Sequence, residues 1–152
     1  MSSRPVVELI RSRTLTDRAP YAYAAVAHDV SRFVFTAGAC PLDGAGNTVA
    51  VGDVAAQAEQ VMTNLCVALE AAGATLTDVV KTTVYVASIR RVDLVAAWDV
   101  VSRRFGEHDA PSTLIGWPCW ATKTNWLRST PSQLSAEPPS RRVPRALNRI
   151  GH

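Results

Sequence analysis

Ser31-Arg32-Phe33-Val34-Phe35-Thr36-Ala37-Gly38-Ala39-Cys40-Pro41 is an apolar run that ends in Thr-Ala-Gly and is stopped by a proline. Phe33, Val34 and Phe35 are β-branched or aromatic and suit a buried pleated surface, so the run reads as a strand. Gly38 lets the backbone turn or approach a neighbour closely, and Pro41 has no N–H with which to continue a ladder. The elements on either side read as packing for this strand.

Upstream, Val6 to Thr14 alternates weakly and predicts a first strand, broken by Asp17-Arg18-Ala19-Pro20. Tyr21 to Ala27 predicts a second, with polar His28-Asp29 leading through a hairpin into the Phe33 strand. Downstream, Asp43-Gly44-Ala45-Gly46-Asn47 is a turn cluster. Asp53 then caps the longest helix, where its carboxylate accepts backbone N–H bonds and meets the positive end of the dipole. Val54, Ala58, Val61, Met62, Leu65 and Leu69 recur at three and four and form one apolar face; Gly73 suits the helix end.

Asp78 to Ser88 is the clearest strand. A second helix is expected from about Arg91 to Phe105, with Leu94, Val95, Trp98, Val101 and Phe105 inward and Gly106 ending it; Pro111 to Trp117 begins another strand. The order β-β-β-α-β-α-β places two helices on one face of a mixed sheet, an α+β sandwich. The other face has no helix to cover it, and oligomerisation is the economical cover.

The 152 residues suffice for one domain with a core, and 47% of them are hydrophobic. No apolar run approaches the roughly 20 residues of a membrane span, and charges at Arg4, Glu8, Arg11 and Arg13 leave no signal-peptide core. Cys40, Cys66 and Cys119 are too scattered for a disulfide framework or a zinc site. A soluble, cytoplasmic protein is expected. The net charge of +3 divides unevenly: residues 1–116 hold ten Lys/Arg and twelve Asp/Glu, residues 117–152 six Lys/Arg and only Glu137. Five of the nine prolines and three of the four tryptophans also fall after residue 116, which marks a boundary between 1–116 and an atypical basic segment 117–152.

From Pro20 to Gly116 the chain resembles the RidA (YjgF/UK) family of small reactive-imine deaminases. The resemblance is carried by Ala19-Pro20-Tyr21, Thr36-Ala37-Gly38 with Pro41, Asp53-Val54-Ala55-Ala56-Gln57-Ala58 and Asn64-Leu65. It continues through Leu69-Glu70-Ala71-Ala72-Gly73-Ala74, Asp78-Val79-Val80-Lys81-Thr82-Thr83-Val84-Tyr85-Val86 and Phe105-Gly106. It implies a chorismate-mutase-like α+β fold and a homotrimer whose sheets line a central barrel, with pockets at the subunit interfaces. It also implies hydrolysis of 2-imino acids to 2-keto acids and ammonia, without metal or cofactor, and a partner list of itself and a small imino or keto acid, with no nucleic acid and no membrane. The end of the Phe33 strand would be the pocket floor.

In such a pocket an arginine pairs bidentately with the substrate carboxylate, a geometry that neither lysine nor serine copies. A glutamate on the last strand handles water, and a serine, an asparagine and a tyrosine complete the site. Carried over residue by residue, only the tyrosine persists, as Tyr21, the candidate catalytic residue. The serine falls at Ala37, the asparagine at Trp98 and the arginine at Ser112. The resemblance is therefore to a branch that lacks the arginine, with Tyr21, Thr36, Ala37, Gly38, Trp98, Ser112 and Thr113 lining the pocket. Two functions follow: a small-metabolite binder without efficient imine hydrolysis, which the residues favour, or an enamine/imine deaminase acting on substrates such as 2-iminobutanoate. RNA cleavage, attached to some relatives, has no residue support here.

After Gly116 the family ending is missing. Back-translated with G/C-rich codons and begun one base early, on the last G of the Gly116 codon, the chain from Trp117 reads Val-Ala-Val-Leu-Gly-Tyr-Glu-Asp-Gln-Leu-Ala-Glu-Ile-Asp-Ala-Val-Ala. That is the expected ending with its glutamate, and the single-codon residues Trp117, Trp120 and Trp126 constrain it. Residues 117–152 thus read as a frame-shifted ending, with Leu127-Arg128 in the glutamate's place and a disorder-like composition after Ser132.

Pattern alone gives blander roles. Trp98 on the inward helical face reads first as core, Ser112-Thr113 as a strand start, and Cys40 as a small buried residue rather than a reactive thiol. Cys66 reads as helix core, Asp93 and Asp99 as capping or solvated charges. His28 and His108 read as loop residues without an acid–base partner.

Overall fold

The structure is a computed structural model that describes residues 6–118 and the backbone of 127–131. Strands β1 (Val7–Ile10) and β2 (Ala24–Ala27) form an antiparallel hairpin, with Val7 opposite Ala27 and Ile10 opposite Ala24. Helix α1 (Val54–Ala71) follows, then a 3₁₀ turn over Leu76–Asp78, β3 (Thr82–Val86), α2 (Arg91–Phe105), β4 (Ser112–Gly116) and β5 (Leu127–Pro131). A second, mixed sheet has the order β4-β3-β5, with β3 parallel to β4 and antiparallel to β5. This is the expected α+β architecture, its strands divided between two sheets.

Both helix ends follow from local chemistry. Asp53 Oδ1 accepts the Ala56 N–H at 2.9 Å. At the C-terminus the Ala74 N–H reaches Leu69 O (2.8 Å) and the Gly73 N–H reaches Glu70 O (2.9 Å), with Gly73 at φ +69°. These paired bonds form a Schellman end, which needs a left-handed residue at Gly73. All six predicted inward residues of α1 are buried, and Val61, Met62 and Leu65 share one core with Val84 and Val86 of β3.

Helix α2 places Ala97, Val100 and Val101 in that core, with Leu94, Trp98 and Phe105 packed at its margin. Val95, expected inward, is exposed, because it lies one residue off the stripe of Leu94, Trp98 and Val101. Cys66 is likewise only half-buried, on the flank of α1 beside Arg104.

The largest departure concerns Ser31–Gly38. The segment belongs to no strand, and Phe33 and Phe35 are 46% and 57% exposed. β2 pairs backwards with β1 rather than forwards with this segment, and Asp29 at φ +49° turns the chain away after the hairpin. His28, expected without a partner, instead sets Nε2 2.9 Å from Glu8 Oε2 across the hairpin. His108 contacts Val79 O through Nε2 at 2.7 Å.

The helix-free sheet face is present as expected. Alternation turns Thr82, Val84 and Val86 toward the helices, so Tyr85, with Thr113 and Ile115 of β4 in register, points away. Thr113, Ile115 and the adjoining Trp117 are exposed there, and the Trp117 ring lies 5.2 Å from that of Tyr85.

The start of α2 is fixed by a polar cluster. Ser88 Oγ donates to Asp93 Oδ2 at 2.6 Å, and Arg90 donates to both Asp93 oxygens at 2.9 and 2.6 Å. The Arg90 guanidinium first, and the Ser88 hydroxyl second, hold the Asp93 carboxyl down at about 2. A carboxyl depressed below its unfolded value of about 4 adds stability above that pH and loses it as pH falls toward 2. Asp93→Asn should therefore reduce stability at pH 6 and flatten its fall between about pH 4 and pH 2, as read by urea unfolding across that range.

Candidate functional site

Three predicted positions converge beside the start of β4. The Tyr21 ring meets Trp98 edge-on, with centroids 6.0 Å apart at 89°, and Tyr23 stands 6.4 Å away on the other side. The Ala22 N–H bonds Asp109 O at 2.7 Å, which ties this segment to the loop before β4. Trp98 and Ser112 then line one cleft with Pro20, Ser102 and Phe105. The cleft is about 10 Å³, room for no more than a single water, with Trp98 as one wall.

Ser112 is committed within the fold. Its Oγ donates to Ala110 O at 2.8 Å and lies 2.9 Å from Thr82 Oγ1. With its one proton on Ala110, Ser112 accepts from the fully buried Thr82. This position offers hydroxyls and a carbonyl, with no charge.

The other predicted residues lie apart. Thr113 is exposed on the helix-free face. Thr36 lines a different cavity, of about 290 Å³, between its own segment and Asp78–Lys81; its Oγ1 is buried with no hydrogen-bond partner. Ala37 is exposed, and neither it nor Gly38 lines either cavity. Cys40 is half-buried, its Sγ 3.7 Å from Gly38 O. Asn64 Nδ2 donates to Cys40 O and Leu42 O at 2.8 and 2.9 Å, fastening that loop to α1. The expected glutamate position, Leu127-Arg128, falls in β5, where only the backbone is described.

One residue near Tyr21 was not legible in the sequence. Arg11 pairs with Asp109 and points Nη1 at the carbonyls of Ala19 and Tyr21, each at 3.4 Å. It closes the end of the first strand over the Tyr21 segment with its charge already matched. Nothing in the local pattern marks it, since Arg11 and Asp109 are 98 residues apart. Among the described residues no group of three His, Cys, Asp or Glu side chains is placed to hold a metal ion.

A two-helix α+β chain with this crossover and these motif positions is defined as a Rid-type fold, and the comparisons place it. Residues 13–116 match the family described as Endoribonuclease L-PSP, so the chain belongs to that family, the RidA/YjgF group. It is 40% identical over 78 residues to a RutC family protein of Pyrococcus abyssi, spanning 51% of this chain and 60% of the relative. It is 37% identical over 83 residues to the 2-iminobutanoate/2-iminopropanoate deaminase of Rattus norvegicus, spanning 53% of this chain and 61% of the relative. The chain thus spans less than two thirds of these relatives' length. The Rid-family protein YyfB of Yersinia pestis superposes with a TM-score of 0.76 at 26% identity, covering 82% of this chain and 96% of that one.

The packing of Trp98 gives a direct check. Trp98→Ala should cost no more than the about 3–5 kcal/mol of a fully buried tryptophan and should open a cavity beside Tyr21. Added indole should then raise the melting temperature of the variant and leave that of the parent unchanged.

Proposed function

We propose that this chain is a family member of an arginine-lacking branch that binds a small metabolite at a subunit interface, without efficient 2-imino acid hydrolysis. The observation that carries this reading is Ser112, a neutral hydroxyl already bonded to Ala110 O and Thr82 Oγ1. A charge-assisted bond to a carboxylate contributes about 1.5–3 kcal/mol, and more where charge develops in a transition state. Ser112 offers no such bond, and Arg11 is matched to Asp109. A ligand meeting Tyr21 and Ser112 would be neutral, and at Ser112, whose proton is on Ala110 O, it would donate rather than accept. The exposed Ile115 and Trp117 on the helix-free face support assembly through that face; that the assembly is a cytoplasmic homotrimer whose partner copies would complete the pocket is taken from the family resemblance.

Imine deamination is the second reading, favoured by the name of the rat relative. Ammonia release from freshly generated 2-iminobutanoate, with the molecular mass of the same gel-filtered species, separates the two. The expected result is a rate indistinguishable from the spontaneous one, with activity appearing in Ser112→Arg once the ending is restored. A parent rate well above the spontaneous one would show that another group replaces the arginine.

Residues 117–152 belong to the same proposal as a frame-shifted ending. The shifted reading places Ala-Glu-Ile-Asp-Ala over Leu127–Pro131, the residues of β5. The coding DNA tests this: a single-base change near the Gly116 codon should restore the family ending, and failure of every one-base change would refute the shift.

A further inference from the structure

The Tyr21 side of the site is secured by an ion pair between distant parts of the chain. Residues 11–23 connect β1 to β2 and pass beside the loop that leads into β4. Arg11 reaches three points at once. Its Nη2 pairs with the Asp109 carboxylate, and its Nη1 faces the carbonyls of Ala19 and Tyr21, each at 3.4 Å. Asp109 grips the same connection a second time, since its carbonyl accepts the Ala22 N–H at 2.7 Å. Arg11 thus holds the residues on both sides of Pro20, and Asp109 holds the residue after Tyr21.

The connection is also a wall of the cleft that contains Ser112. Pro20 lines the cleft from the connection, and Trp98, Asp109 and Ser112 line it from the body of the fold. At about 10 Å³ the cleft admits no metabolite, so a ligand for Ser112 needs one wall to move. The walls on the body are committed: Ser112 lies in β4 in register with Thr82, and Trp98 packs against the core. Pro20 is exposed, and the Arg11 side chain that secures its neighbours is 52% exposed. An exposed ion pair contributes little net stability and weakens with salt, and hydrogen bonds of 3.4 Å are long ones. The wall that yields first is therefore the one held by Arg11.

We propose that Arg11 and Asp109 form a latch that sets the Tyr21 ring against Trp98 and closes the cleft over Ser112. Engaged, the latch holds the two rings edge-on at 6.0 Å. Released, the Ala19–Tyr21 segment withdraws from Trp98 and opens the cleft to a small metabolite. Arg11 is a positioning residue: its charge is matched by Asp109 and its other contacts are backbone carbonyls, so it acts through Tyr21 and not on a ligand. This role rests on the metabolite reading of the site and adds how the site is closed.

Fluorine NMR of the full chain carrying 5-fluorotryptophan tests the latch, with the Trp98 signal assigned through Trp98→Phe. Arg11→Ala should move that signal toward the position of free 5-fluorotryptophan and enlarge its solvent isotope shift, as the Tyr21 ring leaves and water enters. Arg11→Asp combined with Asp109→Arg rebuilds the pair with its charges exchanged and should return the signal. Raising the salt from about 0.05 M to about 1 M, which shortens the screening length to about 3 Å, should move the parent signal in the same direction and leave Arg11→Ala where it is. An unmoved Trp98 signal in Arg11→Ala, or in the parent at high salt, would overturn the latch, as would an exchanged pair that leaves the signal displaced. Loss of cooperative unfolding in Arg11→Ala would make the pair a determinant of the fold and overturn it as well. The metabolite reading fails by a different measure, a parent ammonia-release rate well above the spontaneous one, which the position of the Trp98 signal does not report.

Discussion

The packing of Val61, Met62 and Leu65 of α1 on Val84 and Val86 of β3 is the contact on which the rest depends. All five are fully buried. Burial of side chains this size supplies the largest favourable term in a domain of this length. It fixes β3 as the central strand, and β3 in turn fixes β4 by parallel pairing from Thr82 opposite Ser112. The position of Ser112 is therefore set by a hydrophobic contact on the same, helix-facing side of the sheet, further along β3.

That dependence explains the character of the candidate site. Thr82 is buried between helix and sheet, and its hydroxyl requires a partner. Ser112 supplies one and is itself satisfied by Ala110 O. A cation at Ser112 would have to project past this hydroxyl pair. Trp98 adds a bulky apolar wall edge-on to Tyr21. The result is an aromatic and hydroxyl-lined corner whose electrostatics differ from those of a carboxylate-binding pocket, although the backbone places the same positions together.

Much of the helical half was legible from the sequence because its signals are local. Asp53 and Gly73 act on their own turns of backbone, and the three–four spacing of α1 needs no other element to be read. The Tyr21, Trp98 and Ser112 positions were legible through family motifs and do converge. The roles of Thr36, Ala37 and Gly38 were not, since they depend on whether the Phe33 segment enters a sheet. A run of β-branched and aromatic residues shows that a segment suits a strand, but pairing requires a neighbour with free backbone groups at the right spacing. Here β1 takes β2, β3 takes β4 and β5, and Phe33–Phe35 lies exposed outside any strand.

The sequence by itself determined the two helices, their buried faces and caps, the central strand and the neutral residue at position 112. These follow from periodicity, capping chemistry and residue identity, all of which act within a few residues. Only the tertiary structure decided which strands pair, that His28 meets Glu8, that Arg11 is matched to Asp109, and that Ser112 is bound to Thr82. It alone revealed the cavity beside Thr36. These are relations between residues 20 to 98 positions apart, set by how the core folds the chain back on itself, and no local pattern encodes them.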